Sequence, residues 1–218
     1  MKTIHLKFFI FILIVAGYSL AVYLDSMTLS FFSKIMIAPA LFPLVYSKKM
    51  ASKQLWFYSL ALFFSALGDG LLFFQVNQEY YFIFGLLSFL LAHICYILLF
   101  NSASSRKLPS IIISILIFGY AISFNFLMRP FVGDLFFPII VYSSVISVML
   151  LFSFKVNPLV IAGAITFALS DTLLAVNKFY LPIPNENFLI MGTYIAAQAL
   201  IALGWSSEKL AFTKKLTQ

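Results

Sequence analysis

Two aspartates sit in matched surroundings, "ALGDGLL" at 66–72 and "ALSDTLL" at 168–174. Each carboxyl, Asp69 and Asp171, interrupts a run of Ala, Leu and Phe that reads as membrane-spanning helix. An ionisable group there is costly and marks a functional site by default. Two such carboxyls suit acid–base chemistry. Burial favours the neutral form and a nearby cation the ionised one, so unlike surroundings can hold one as proton donor and the other as acceptor. Lys34 is a candidate counter-ion. His93, Tyr96, Tyr142, Ser170, Tyr194 and Gln198 are candidates to bind a polar group of a substrate or to place a water. Tyr194 and Gln198 share a helix face at i,i+4 spacing, as do His93 and Tyr96 at i,i+3.

The elements that position these groups are long apolar helices. The 218-residue chain is 63% hydrophobic and 10% charged, with mean hydropathy +1.05. Soluble domains are about half apolar and about a quarter charged. A bilayer crossing takes about 20 apolar residues. Eight segments approach that length: 6–24, 28–46, 54–75, 80–100, 109–127, 134–153, 157–177 and 188–206. The predicted fold is therefore all-α, a single domain over 1–218 made of eight transmembrane helices. The first segment has a basic start and a weak cleavage match at Ser19-Leu20-Ala21. Its apolar run is longer than a signal peptide's, so it is expected to stay as a span.

Charge placement sets the expected orientation. With the N-terminus in the cytoplasm, eleven basic residues fall inside: Lys2, Lys7, Lys48, Lys49, Lys53, Arg106, Lys107, Lys155, Lys209, Lys214 and Lys215. Only Arg129 and Lys178 fall outside, while Asp25, Glu79, Asp134 and Glu186 lie in outer loops. This positive-inside asymmetry fits an even number of spans with both termini cytoplasmic. Trp56 and Trp205 both land near the inner boundary, where indoles favour the headgroup layer. A bacterial inner membrane is the expected location.

Depth follows from the helical rise of 1.5 Å per residue. Asp69 and Asp171 lie about 22 and 21 Å from the inner ends of their spans. Lys34 and Tyr194 lie about 9 Å from the outer surface, Tyr142 about 12 Å, Gln198 about 15 Å and His93 about 20 Å. Polar side chains from several spans thus share one slab of membrane and are expected to face the bundle interior. Spans three and seven, which carry the aspartates, run in the same direction. Two parallel four-helix halves, about 1–106 and 107–218, would account for this. Chance likeness between helices drawn from a small apolar alphabet is the alternative, since the halves align poorly elsewhere.

Other chemistries find little support. The net charge of +7 is placed as a topology signal and does not form a nucleic-acid footprint. Cys95 is the only cysteine, so no internal disulfide forms. His93 is the only histidine within the spans, and no metal or cofactor is expected. Ser170 lacks the G-x-S-x-G elbow of a serine hydrolase. Three readings remain: an acid–base enzyme, a proton-coupled transporter with the aspartates as relay, and a non-catalytic lipid-binding or assembly protein, in which an Asp–Lys pair would only pin helices together. Transporters often break helices at matched positions of two repeats, whereas Pro39, Pro43 and Pro138 do not pair between the halves.

At these residues the chain resembles the YhhN-like membrane proteins, a family that includes the lysoplasmalogenases. The resemblance runs through "SKIMIAP" (33–39), "ALGDGLLFF" (66–74), "FGLLSFLLAHICYI" (84–97), "GAITFALSDTLLAVNKF" (163–179) and "TYIAAQALI" (193–201). The order of the motifs matches across nearly the whole chain, and Gly163, Phe167, Ser170 and Asp171 form the closest stretch. The chain departs at Ile35, where members of the family often carry proline. The resemblance implies hydrolysis of lysoplasmalogen, a lysophospholipid taken from the bilayer whose chain is held by a vinyl ether. The products would be a fatty aldehyde and a glycerophospho-ethanolamine or -choline. It also implies that the paired aspartates, here Asp69 and Asp171, are the catalytic groups. Enol-ether cleavage needs an acid to protonate the β-carbon, a stabiliser for the oxocarbenium ion and a placed water. Two carboxyls can share that work as they do in glycoside hydrolysis. The carboxyl nearer Lys34 is expected to stay ionised.

Overall fold

The computed structural model describes residues 2–46, 51–75, 78–103 and 106–216, with side chains from Leu6 to Glu208. Lys48 and Lys49, counted above with the inner basic residues, lie outside the described residues, as do the side chains of Lys2, Lys209, Lys214 and Lys215. The described residues are helical: α1 (Lys2–Tyr23), α2 (Met27–Ile37), α3 (Phe42–Val45), α4 (Ser52–Phe73), α5 (Glu79–Asn101), α6 (Ile111–Met128), α7 (Phe136–Ser153), α8 (Pro158–Phe179) and α9 (Glu186–Leu216). Among them, seven helices are long and apolar enough to cross a membrane, and the pair α2 and α3 makes an eighth crossing if taken as one bent span. The chain is a multi-pass membrane protein.

The second span differs from expectation. A continuous helix was predicted over 28–46, but the chain bends by 41° between Ile37 and Pro39. The cause is local. Pro39 has no N–H to give the carbonyl four residues back and its ring crowds that carbonyl. A single 3₁₀ turn, Pro39–Leu41, carries the chain round the corner, and Pro43 then starts α3 at a position where its missing N–H costs nothing. The ammonium of Lys7 on α1 donates to the carbonyl of Pro43 at 2.7 Å, a favourable place for a cation near a helix C-terminus. The last helix also differs: α9 continues to Leu216, well past the expected end of its span near 206.

Turn residues account for the other connections. Asp25 and Asn185 take left-handed backbone conformations, φ 53 and 55, which Asp and Asn tolerate better than most residues. Gly133 does the same at φ 50 between α6 and α7. The Ser110 hydroxyl accepts from Ile113 N–H to cap α6. The Asn157 side chain accepts from Val160 N–H at 3.1 Å to cap α8, with Pro158 in the first turn.

The chain divides into two compact units, Met1–Leu99 and Phe100–Gln218. In the first, α1 packs on α2 and α2 on α4. Gly68 of α4 meets the ring of Phe89 of α5, and Gly85 of α5 meets Leu72 of α4; these two contacts fix an antiparallel register between the helices. In the second unit, α6 packs on α7, α7 on α8, and α8 most extensively on α9. The last pair approaches closely because Gly163 sits against Ile201 and Ala197, and Gly204 against Val160 and Asn157. Small residues allow such backbone approach in membrane helices, where burying apolar surface from lipid gains little. The Asn157 amide also donates to the Gly204 carbonyl at 2.7 Å.

The two tryptophans part company. Trp56 is 63% exposed, as a headgroup-layer indole should be. Trp205 is wholly buried, its ring 6.4 Å from that of Phe100. It is a packing residue rather than the interfacial anchor its position suggested.

Candidate active site

Seven of the nine expected site residues are buried: Asp69, His93, Tyr96, Tyr142, Ser170, Tyr194 and Gln198. Lys34 and Asp171 are half-buried. For polar groups within apolar helices this is the interior-facing arrangement anticipated above.

The first unit holds Lys34 on α2, Asp69 on α4, and His93 and Tyr96 on α5. Asp69 is 2% exposed, and its two glycine neighbours explain how it is placed. Gly68 leaves room for Phe89 of α5, and a Cβ there would come within 2.6 Å of the ring. Gly70 faces α2, with Ile35 and Phe31 the nearest atoms to its missing Cβ. The flanking glycines thus let α5 and α2 close in on either side of the turn that carries the carboxyl, and the Ile35 contact brings the helix turn that bears Lys34 to that level. Tyr18 of α1 lies near enough to Asp69 to interact with its charge.

The second unit holds Tyr142 on α7, Ser170 and Asp171 on α8, and Tyr194 and Gln198 on α9. The structure pairs Tyr142 with Asp171 and Tyr194 with Gln198, and ties Ser170 to α9. The Tyr142 hydroxyl is hydrogen-bonded to the Asp171 carboxyl. The Ser170 hydroxyl donates to the Ile190 carbonyl of α9 at 3.0 Å. Its oxygen is occupied in holding two helices together, which suits a packing role better than that of a nucleophile. The Gln198 amide donates to the Tyr194 hydroxyl at 3.4 Å, which realises the i,i+4 face seen in the sequence. The Tyr194 ring sits edge-on to Phe167 at 5.6 Å. On the other side of Asp171, the Thr172 hydroxyl bonds the Tyr120 hydroxyl of α6 at 2.9 Å. Thr172 donates in turn to the Ala168 carbonyl at 2.8 Å.

The two motifs therefore work alike. Each aspartate is flanked by two small residues that meet two different helices, Gly68 and Gly70 through space, Ser170 and Thr172 through hydrogen bonds. Reading the sequence alone passed over Tyr18, Tyr58, Ser65 and Tyr120. Tyr58 and Ser65 carried a usable signal, since with Asp69 they fall on one helical face at spacings of seven and four residues. Among the described residues, no group of three or more His, Cys, Asp or Glu is arranged to hold a metal ion.

A profile of the YhhN family matches residues 29–205. The chain belongs to the YhhN family. Relatives of this YhhN chain include lysoplasmalogenase TMEM86A of Bos taurus, 33% identical over 153 residues, which is 65% of this chain and 62% of the relative. Lysoplasmalogenase TMEM86B of Sus scrofa is 31% identical over 148 residues, 68% and 62% of the two chains. Lysoplasmalogenase TMEM86B of Homo sapiens is 29% identical over 143 residues, 66% and 60%. This YhhN chain thus spans about three-fifths of the length of the relatives it matches. No solved structure matches it.

Proposed function

We propose that the protein hydrolyses the vinyl ether bond of lysoplasmalogen, releasing a fatty aldehyde and a glycerophospho-ethanolamine or -choline. The observation that carries this reading is a pair of carboxyls within membrane helices, each beside a tyrosine, in a family whose matched relatives are named lysoplasmalogenase. Asp171 is the proposed acid. It gives its proton to the β-carbon of the enol ether, and the electron pair of the double bond forms the new C–H bond. The ether oxygen shares the resulting positive charge. Asp69, whose unit holds Lys34, is the proposed base. It takes a proton from the water that adds to the α-carbon, giving a hemiacetal. Collapse of the hemiacetal resets both groups: the Asp171 carboxylate takes the hydroxyl proton and the protonated Asp69 returns one to the departing glycerol oxygen. Lys34, His93, Tyr96, Tyr142, Tyr194 and Gln198 are proposed to bind the headgroup or place the water, and the surrounding Phe and Leu to accept the alkenyl chain from the bilayer.

Purified protein given lysoplasmalogen is expected to release fatty aldehyde, and given an acyl lysophospholipid to release none. Aldehyde absent from the first reaction ends the proposal. Tyr142→Phe removes a hydrogen bond to the carboxylate that Asp171 becomes as it gives up its proton, an interaction of about 1.5–3 kcal/mol. It is expected to lower kcat roughly tenfold to a hundredfold while KM and thermal midpoint stay near those of the parent; unchanged kcat removes Tyr142 from the site.

The break in the second span gives the transporter reading one observation in its favour, since transporter sites are often built at discontinuous helices. Proton flux into liposomes in the absence of any lipid substrate would support it.

A further inference from the structure

The first unit contains more buried polar surface than a single carboxyl needs. On α4, Tyr58, Ser65 and Asp69 lie on one face, which is buried along its length together with Ala61, Leu62, Gly68 and Leu72. The register fixed by Gly68 against Phe89 and Leu72 against Gly85 carries on down the antiparallel pair. It places Ser65 level with Ala92 and His93, and Ala61 level with Tyr96. Tyr58 and Tyr96 lie close enough for their hydroxyls to interact. The Tyr58 hydroxyl donates to the Leu41 carbonyl at 3.5 Å. Leu41 belongs to the 3₁₀ turn at the break in the second span. A column of buried polar groups therefore runs from Asp69 past Ser65 and His93 to Tyr96, Tyr58 and the broken helix. From Asp69 to Tyr58 it covers eleven residues of helix, about 16 Å at 1.5 Å per residue.

Hydrocarbon offers such groups nothing, and irregular backbone at membrane depth is tolerated where it is buried in protein or lines a wet cavity. Vinyl ether hydrolysis consumes a water molecule at each turnover, and a lipid-facing route cannot supply one. We propose that this column is the route by which water reaches Asp69, entering where the second span breaks. The inference rests on the hydrolase reading above, in which Asp69 activates that water. Tyr58, Ser65 and Tyr96 line the route as hydrogen-bonding steps and are not catalytic residues.

Cysteine accessibility tests this without reading turnover. In the full chain carrying Cys95→Ala, single Ser65→Cys and Ala61→Cys variants put a thiol on the column face, and Leu67→Cys puts one on the opposite face, 42% exposed. The probe is 2-aminoethyl methanethiosulfonate, with labelling followed by intact mass. A thiolate is the reacting species and forms only where water is present. The thiolate attacks the sulfenyl sulfur, forms the mixed disulfide and displaces methanesulfinate. Ser65→Cys is expected to label about tenfold faster than Leu67→Cys or more. Should Ser65→Cys fail to purify folded, Ala61→Cys, one turn along the same face, carries the same comparison. Column thiols that label no faster than Leu67→Cys mark a dry, packed column and overturn the proposal. Fast labelling in a protein that releases no aldehyde leaves the water route standing and removes the hydrolase reading. Aldehyde release with slow labelling does the reverse.

Discussion

Asp171→Asn and Asp69→Asn, made singly, are each expected to lower lysoplasmalogen turnover by about 10³-fold, within the 10²–10⁴ range typical of a lost general acid or base. Asparagine keeps the shape of the side chain and its capacity to hydrogen-bond, but it neither donates an acidic proton nor accepts one from water. Asp69 is buried at 2% exposure, so no buffer base can reach the site to stand in for it. The measurement is aldehyde released per folded protein, with lysolipid binding followed in parallel. A structural role for the carboxyls gives the opposite pattern: the thermal midpoint falls while turnover by the folded fraction is preserved. That pattern, or near-normal turnover in both variants, would falsify the divided acid–base mechanism. Because the proposed cycle uses each carboxyl twice, the double variant is expected to be no slower than the worse single one, as found for residues that act as a unit.

Gly163→Ala and Gly204→Ala are each expected to destabilise the second unit by roughly 1–3 kcal/mol, the usual cost of overpacking a filled core. The size of the effect follows from what the new methyl would meet. At Gly163 it comes within 2.9 Å of Ile201 N and 3.0 Å of the Ala197 carbonyl. At Gly204 it comes within 2.9 Å of both Val160 N and the Asn157 side-chain oxygen that caps α8. Backbone atoms cannot rotate away, so the helices must part. Gly119 and Gly192 have open space where a Cβ would stand, and alanine at either should leave stability unchanged or slightly improved. Thermal midpoints of the four variants in one detergent decide the matter. Equal midpoints would mean that the α8–α9 approach is not a tight one.

The sequence carried most of this architecture because its signal was coarse and strong. Eight apolar runs separated by short polar loops leave little freedom, and seven of them are single helices long enough to cross a membrane. The exception turns on Pro39 and Pro43, which break the second run locally although the run is apolar overall. The intramembrane polar residues were legible for the same reason: Asp69 or Gln198 stands out among Leu and Phe. What could not be read was each group's partner. The tie between Tyr142 and Asp171 joins helices 29 residues apart in sequence, and no local pattern encodes it. Ser170 drew attention as a hydroxyl beside a carboxyl, yet its proton goes to Ile190 on the next helix. Tyr58 lay unremarked because tyrosine near a span's end reads as an interfacial residue; only the packing shows it buried and hydrogen-bonded to the Leu41 carbonyl at the broken helix.

The unlike settings of the two indoles supply an optical reporter that needs no label. Lipids with brominated acyl chains quench fluorophores they can touch, which here means Trp56 and not Trp205. In a Trp56→Phe protein the remaining emission should be almost insensitive to bromination and should change only when the Phe100–Trp205 packing loosens, giving a spectroscopic readout of that corner of the bundle in an intact membrane.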